Sequence, residues 1–222
     1  MTVVALGLFT AYLTLGFGLR TWVQWRRTGD TGFRGISGRL GTAPWWAGVL
    51  FVLALVAGVA GPVTALFGVE PPPFLVVAWL QAIGTGLAVA GMAATVLAQL
   101  DMGTNWRIGV DHREATNLVT TGAFGWVRNP IFTAMAATGA GLALIVPNIV
   151  AAGALVLLLV ALQLQVRVVE EPYLRALHGA AYAAYEASTG RFLPGIGREQ
   201  RNAVPATGSA VGDGAERETG AR

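Results

Sequence analysis

The chain has no cysteine and no lysine, only two histidines, and charged residues make up just 12% of its 222 positions. Without cysteine there is no disulfide framework, no thiolate nucleophile and no zinc-cysteine site. His112 and His178 stand alone, without the HxxxH or carboxylate spacing that metal sites use, so no metal ligand is assigned. A Gly-rich strand-turn-helix fingerprint is also missing, which leaves a Rossmann nucleotide site without support. What fills the space is apolar. Hydrophobic residues are 54% of the chain and the mean hydropathy is +0.58, the composition of a small polytopic membrane protein rather than of a soluble domain.

The apolar runs divide the chain into spans. Val3 to Leu19 is long enough to cross a hydrocarbon core of about 30 Å, given roughly 20 helical residues at 1.5 Å each. Its basic residues follow rather than precede it, and it has no A-x-A site, so it is read as a retained span with its N-terminus outside. In the next loop Arg20, Arg26, Arg27, Arg34 and Arg39 are opposed only by Asp30. Trp22, Trp25, Trp45 and Trp46 flank that loop as an interfacial belt. A second span runs from Pro44 to Val69, with Thr42 as its cap and Gly61-Pro62 as a kink. Glu70 and three prolines turn the chain.

The third span, Phe74 to Leu100, carries Gly86, Ala90, Ala94 and Ala98 at four-residue spacing, a stripe that admits a close helix neighbour. Gly84-Thr85-Gly86 has two readings, helix packing or close backbone access for a cofactor. A polar connection, Asp101 to Asn129, precedes 36 uncharged residues, Ile131 to Val166. Pro147-Asn148 divides these into a tight hairpin of two short spans. All fifteen basic residues are arginine, and five spans put every one of them on a single face, which the positive-inside rule makes cytoplasmic. The small polar residues from Ile196 onward read as a disordered tail. The fold class is thus all-α, with five transmembrane helices, a C-terminal helical hairpin and cytoplasmic polar segments. Three units follow: 1–100, three spans with their Arg-rich loop; 101–195, the polar connection, hairpin and amphipathic end; and 196–222, the tail. The bilayer of the cell membrane is the expected surrounding, and nothing points to nucleic acid. Oligomeric state is not legible.

Candidate site residues cluster where the polar connection meets the hairpin. Asn129 before Pro130 is a helix-start signal, and free backbone N–H groups beside the Arg128 guanidinium make a place for a carboxylate or phosphate. The other reading of Arg128 is a headgroup anchor. Glu170 and Glu171 lie where the last span leaves the membrane and are candidates for a cationic ligand. Alternatively Arg167, Glu171 and Arg175 form an ion-pair ladder at i, i+4, i+8. Adjacent helical positions diverge by about 100 degrees, so Glu170 and Glu171 cannot both face one small site in a regular helix. Pro172 is a possible break there. Tyr182 and Tyr185 share one face, read from spacing alone as an interfacial belt.

The order of M-G-x-x-W-R-x-G (Met102 to Gly109), L-V-T-T-G-A-F (Leu118 to Phe124), R-N-P-I-F (Arg128 to Phe132), E-E-P-Y-L, Y-A-A-Y and R-F-L-P-G resembles the isoprenylcysteine carboxyl methyltransferase and phospholipid methyltransferase group of integral membrane enzymes. The resemblance covers Met102 to Pro194. It implies S-adenosylmethionine as cofactor and a lipophilic or small-molecule methyl acceptor. It also implies cofactor contacts from Leu118, Val119 and Gly122, with Arg128 and Asn129 at the amino-acid end, and Glu171 as a polar site residue. Phe132, Glu170 and Tyr185 complete the expected cofactor set, with Arg128 and Glu171 as the catalytic pair. Asn129 and Phe132 replace the group's usual histidine and tyrosine, and His178 replaces a usual phenylalanine. Two other classes remain open: an NADPH-dependent membrane reductase of the steroid-reductase type, and a non-catalytic protein that retains the fold.

Overall fold

The structure, a computed structural model, describes residues 1–110 and 116–199. The histidine at 112 and the tail from 200 onward lie outside those residues. No strand occurs among the described residues. Five long helices do, besides short 3-10 turns: α1 Thr2–Thr28, α2 Ala43–Leu66, α3 Ala78–Met102, α4 Pro130–Ile145 and α5 Ile149–Ser188. Four of them are long and apolar enough to cross a bilayer, while α4, with 16 residues, is shorter. At 1.5 Å per residue α4 reaches about 24 Å, short of a full hydrocarbon core. The antiparallel run places 20–43, 102–130 and 165–199 at one end, and with them all the described arginines.

The hairpin is unequal rather than a pair of short spans. Asn148 caps α5 through its Oδ1, which accepts from the Ala151 N–H at 2.8 Å, and its Nδ2 donates to the Gly61 carbonyl at 2.8 Å. From that cap α5 runs on to Ser188, interrupted once at Gly179, whose φ of 50° and ψ of −119° are not helical. Pro172 does not break it, because it stands in the first turn after a π-helical stretch, Gln165–Glu170, where the bonding register is already changing. Likewise α2 continues past Gly61-Pro62 to Leu66. Thr42 stands at the N-terminus of α2 without capping it; its hydroxyl donates back to the Arg39 carbonyl at 2.7 Å.

The most extensive packing joins α3 to α4 and α2 to α5. In the first pair the buried small stripe is Gly84, Ala88, Gly91, Thr95 and Ala98. Gly86, Ala90 and Ala94 face outward instead. The reason is geometric: a strict four-residue step advances 40 degrees too far on a 3.6-residue helix, whereas alternating steps of four and three stay on one face. Contact there is close enough that a Cβ added to Gly141 would collide with the Ala88 nitrogen, and one added to Gly84 would lie 2.8 Å from the Gly141 carbonyl oxygen. Gly84 is therefore a packing residue.

Candidate functional site

A cavity of about 330 Å³ opens at the arginine-rich end and descends between the spans. Its deep walls are apolar: Phe17 of α1, Phe51, Val52 and Leu55 of α2, and Ile131, Phe132 and Met135 of α4. Around its mouth stand Trp106, Arg107, Asn117, Leu118, Val119, Arg128, Asn129, Glu170, Tyr182 and Tyr185. A site with a polar rim over an apolar shaft can hold a polar ligand and an oily one end to end.

Two extended segments close the rim. The first follows α1, where Gly29, Gly32, Gly35, Gly38 and Gly41 recur every third residue with φ of 73 to 87°, a conformation that costs glycine nothing. This strap lies along the stretch after α3: the Arg34 N–H donates to the Ile108 carbonyl at 2.9 Å, the Ile108 N–H to Gly32 at 2.8 Å, and Ser37 Oγ to the Val110 carbonyl at 3.1 Å. Phe33 and Ile36 thereby reach the cavity. Beside it Asp30 is held down to about 2 by hydrogen bonds from the Arg34 guanidinium and the Gly32 N–H. The second segment, residues 189–199, crosses the start of α4. There the Arg128 N–H donates to Gly190 at 2.8 Å and the Asn129 N–H to Arg191 at 3.1 Å.

That crossing changes the expected helix start. Asn129 does not cap α4; its side-chain amide donates to the Arg191 carbonyl at 3.1 Å, and Thr133 Oγ1 donates to Phe192 at 2.9 Å. The backbone donors of Arg128 and Asn129 are thus already satisfied by protein carbonyls.

Behind the rim lies an ion-pair cluster. Arg128, only 5% exposed, donates through Nη1 to the carbonyls of Glu186 and Thr189 at 2.9 and 3.0 Å. Its Nη2 donates to Glu171 Oε1 at 3.0 Å and to the Gly197 carbonyl at 3.2 Å. Arg128 Nε is buried with no acceptor among the described residues. Glu171, 2% exposed, is also gripped by Arg191, Nε to Oε1 at 2.6 Å and Nη2 to Oε2 at 2.9 Å. Arg191 is raised above its ordinary value by those hydrogen bonds to the Glu171 carboxylate. Arg175 pairs with Glu186 at 2.7 Å and with Glu199 at 2.8 Å. Carboxylate atoms of Glu171, Glu186 and Glu199 lie within 4.8 Å of one another. Three guanidiniums interleave them, so the cluster is neutral and knitted.

The expected site residues therefore separate. Leu118, Val119, Arg128, Asn129, Phe132, Glu170 and Tyr185 come together on the cavity. Gly122 sits elsewhere, at a turn packed on Asp101, whose carboxylate accepts from the Ala123 N–H at 2.8 Å. Glu171 stands behind the wall, facing the arginines. The neighbours Glu170 and Glu171 do point to different surroundings, as helical divergence requires. The ion-pair ladder holds only at one rung: Arg175 is 3.6 Å from Glu171, while Arg167 bonds Gln163 instead. Bonding from i to i+5 in the π-turn widens the coil, turning Arg167 away and stacking Gln165 with Glu170 on the cavity face. Tyr182 and Tyr185 are not an interfacial belt. Both are buried, at 1% and 8% exposure, and Tyr185 Oη donates to the Phe124 carbonyl at 2.6 Å; the helix breaks at Gly179, and the stretch after it places both tyrosines on the cavity. Residues 196–199 are part of the second strap rather than of a tail. Arg191 and the strap residue Ile36 were missed as site neighbours; the R-F-L-P-G motif was the available signal for the first, the glycine period for the second.

Residues 79–181 match the sequence model of the phospholipid methyltransferase family. No curated protein matches the chain in sequence. Among solved structures, the eukaryotic intramembrane Ras methyltransferase ICMT (isoprenylcysteine carboxyl methyltransferase) aligns with a TM-score of 0.59 at 19% identity, over 89% of this chain and 70% of that one. The resemblance carried by the motifs is borne out, the fold is that of the ICMT-like membrane proteins, and the two matches together support a membrane methyltransferase.

Proposed function

We propose that this protein is a membrane methyltransferase that uses S-adenosylmethionine and acts on a lipophilic or small acceptor that reaches it from the bilayer. One observation carries the reading: Arg128 lines the cavity, and its Nε–H is buried without a partner among the described residues. A buried donor left without an acceptor costs about 1–3 kcal/mol, which a bound anion would recover. The carboxylate of an amino-acid-bearing cofactor suits that donor, as an anion and as a hydrogen-bond acceptor.

In this reading Leu118, Val119, Asn129, Phe132 and Tyr185 surround the cofactor and Arg128 takes its amino-acid end. When bound, the cofactor supplies a methyl group made electrophilic by sulfonium charge. The chain's own contribution is positional. Phe51, Val52, Leu55, Ile131 and Met135 exclude water from the shaft and give an apolar acceptor a matching wall. Holding donor and acceptor in line in a dry cavity is the main service a displacement at carbon needs. Glu170, a carboxylate on the same wall, offers negative charge near the cofactor's cationic groups or accepts a proton from an amine or thiol acceptor. Glu171 acts on Arg128 rather than on the ligand. With the arginine-rich end in the cytoplasm, the cofactor enters from water and the acceptor from lipid.

The test is calorimetric and thermal-shift titration of the detergent-solubilised protein with S-adenosylmethionine, S-adenosylhomocysteine and NADPH. Saturable binding of the first two, weakened at least about a hundredfold by Arg128→Ala, is expected. Binding of NADPH alone would move the protein to the reductases, and silence from all three would sink the cofactor assignment.

A further inference from the structure

Arg128 and Arg191 both donate to Glu171, but on unequal terms. Arg191 takes both carboxylate oxygens through its Nε and Nη2 edge, at 2.6 and 2.9 Å. Arg128 reaches only Oε1, through Nη2, at 3.0 Å. An arginine beside a carboxylate ordinarily offers two parallel donors, and the Nε–Nη2 edge is one of the two such forks. Arg128 does not use that edge on Glu171: it reaches only Oε1, while Oε2 is engaged by Arg191 Nη2 at 2.9 Å with Arg175 Nη2 3.6 Å away. Its Nη1 is meanwhile spent on the Glu186 and Thr189 carbonyls. The Nε–H is what remains, and it is buried on a residue that lines the cavity. The side chain that imposes this, Arg191, lies on the strap beyond residues 79–181, outside the stretch that matches the phospholipid methyltransferase model.

We propose that Arg191 is a positioning residue that keeps Glu171 from pairing bidentately with Arg128 and so reserves the Arg128 Nε–H for a ligand carboxylate. Remove Arg191, and Glu171 is free to swing both oxygens onto the Arg128 edge, closing the donor the ligand needs. The inference rests on the reading of the cavity as an S-adenosylmethionine site. Its signature is specific: only ligands with an amino-acid end should notice the change.

The full-length protein in detergent is titrated by calorimetry with S-adenosylhomocysteine and with 5′-methylthioadenosine, which lacks the amino-acid end. The unmodified protein is expected to prefer the first. In Arg191→Ala the affinity for S-adenosylhomocysteine falls about ten- to a hundredfold while that for methylthioadenosine holds, so the preference collapses. Arg191→Lys, a point charge that cannot hold two oxygens at once, keeps only part of the preference. An Arg191→Ala protein that retains the full preference, or that loses both ligands in parallel, overturns the proposal. If the alanine variant does not fold, full preference in Arg191→Lys overturns it equally. An unmodified protein that binds neither ligand removes the cofactor reading itself, a different outcome from normal binding that Arg191 does not affect.

Discussion

Among the described residues two arginines are buried near the same membrane face, and their surroundings differ in kind. Arg20, 7% exposed, has no carboxylate among its hydrogen-bond partners within the described residues. It donates to Gln24 Oε1 at 3.2 Å and to the carbonyls of Gln99 and Gly103, and stacks 4.8 Å from the Trp106 ring centre. Those carbonyls close the C-terminal end of α3, where a helix presents partial negative charge. Arg128 instead shares Glu171 with Arg191. Each has an Nε–H without an acceptor, yet only Arg128 borders the cavity. An orphan donor by itself therefore does not mark a site; an orphan donor on a cavity wall does. Arg20 ties α1 to the end of α3, while Arg128 faces the space where a ligand fits.

The comparison breaks if both arginines behave alike on substitution. The largest effect should come from Arg128→Ala, which leaves a buried carboxylate short of a partner and costs about 3–5 kcal/mol of stability, together with loss of S-adenosylhomocysteine binding. Melting temperature and calorimetry on the same sample measure both. Arg20→Ala should cost about 2–3 kcal/mol, from charged hydrogen bonds and the tryptophan contact, yet leave cofactor affinity within about threefold. An Arg20 variant that melts normally but fails to bind would reverse the roles assigned to the two residues. Gln24→Ala sharpens the contrast further. It removes the Nε2 donor to the Thr104 carbonyl at 2.9 Å, and should cost about 1 kcal/mol in thermal stability with no change in binding.

The smallest effect concerns the exposed pair on the first strap. Asp30, held at about 2 by Arg34, has a folded value below its ordinary value near ~4, so its contribution is present above that value and fades as pH falls towards 2. For a pair this exposed the contribution is under about 1 kcal/mol. Asp30→Asn should therefore lower the melting temperature slightly at pH 6, less so near pH 3, and the difference should shrink in high salt. Equal melting curves at all pH values would remove the pair from the strap's stability.

Much of the architecture was legible because the bilayer constrains it. Backbone groups in lipid must be satisfied within a helix, so runs of apolar residues such as Phe74 to Leu100 announce spans directly, and Arg20 to Arg39 announce an end. The face each span buries was less legible. The four-residue stripe at Gly86 gave way to Gly84, Ala88 and Gly91, because in lipid both faces of a helix are apolar and hydropathy cannot say which one meets a neighbour. Glu170 and Glu171 show the same limit at the site. Their divergence followed from helical geometry, but which one meets the cavity depended on the π-turn before them, a bonding choice that composition does not encode.

By itself, then, the sequence determined an all-helical membrane protein with one arginine-rich end, a hairpin hinged at Asn148, and the family resemblance around Arg128 and Glu171. Only the tertiary structure decided that Arg191, a strap residue 20 positions after Glu171, takes both oxygens of that carboxylate and leaves Arg128 with one unspent donor. The physical reason is that a hydrogen bond between distant residues is fixed by where packing brings their side chains, and the crossing of residues 189–199 over the start of α4 is set by the fold, not by any local spacing.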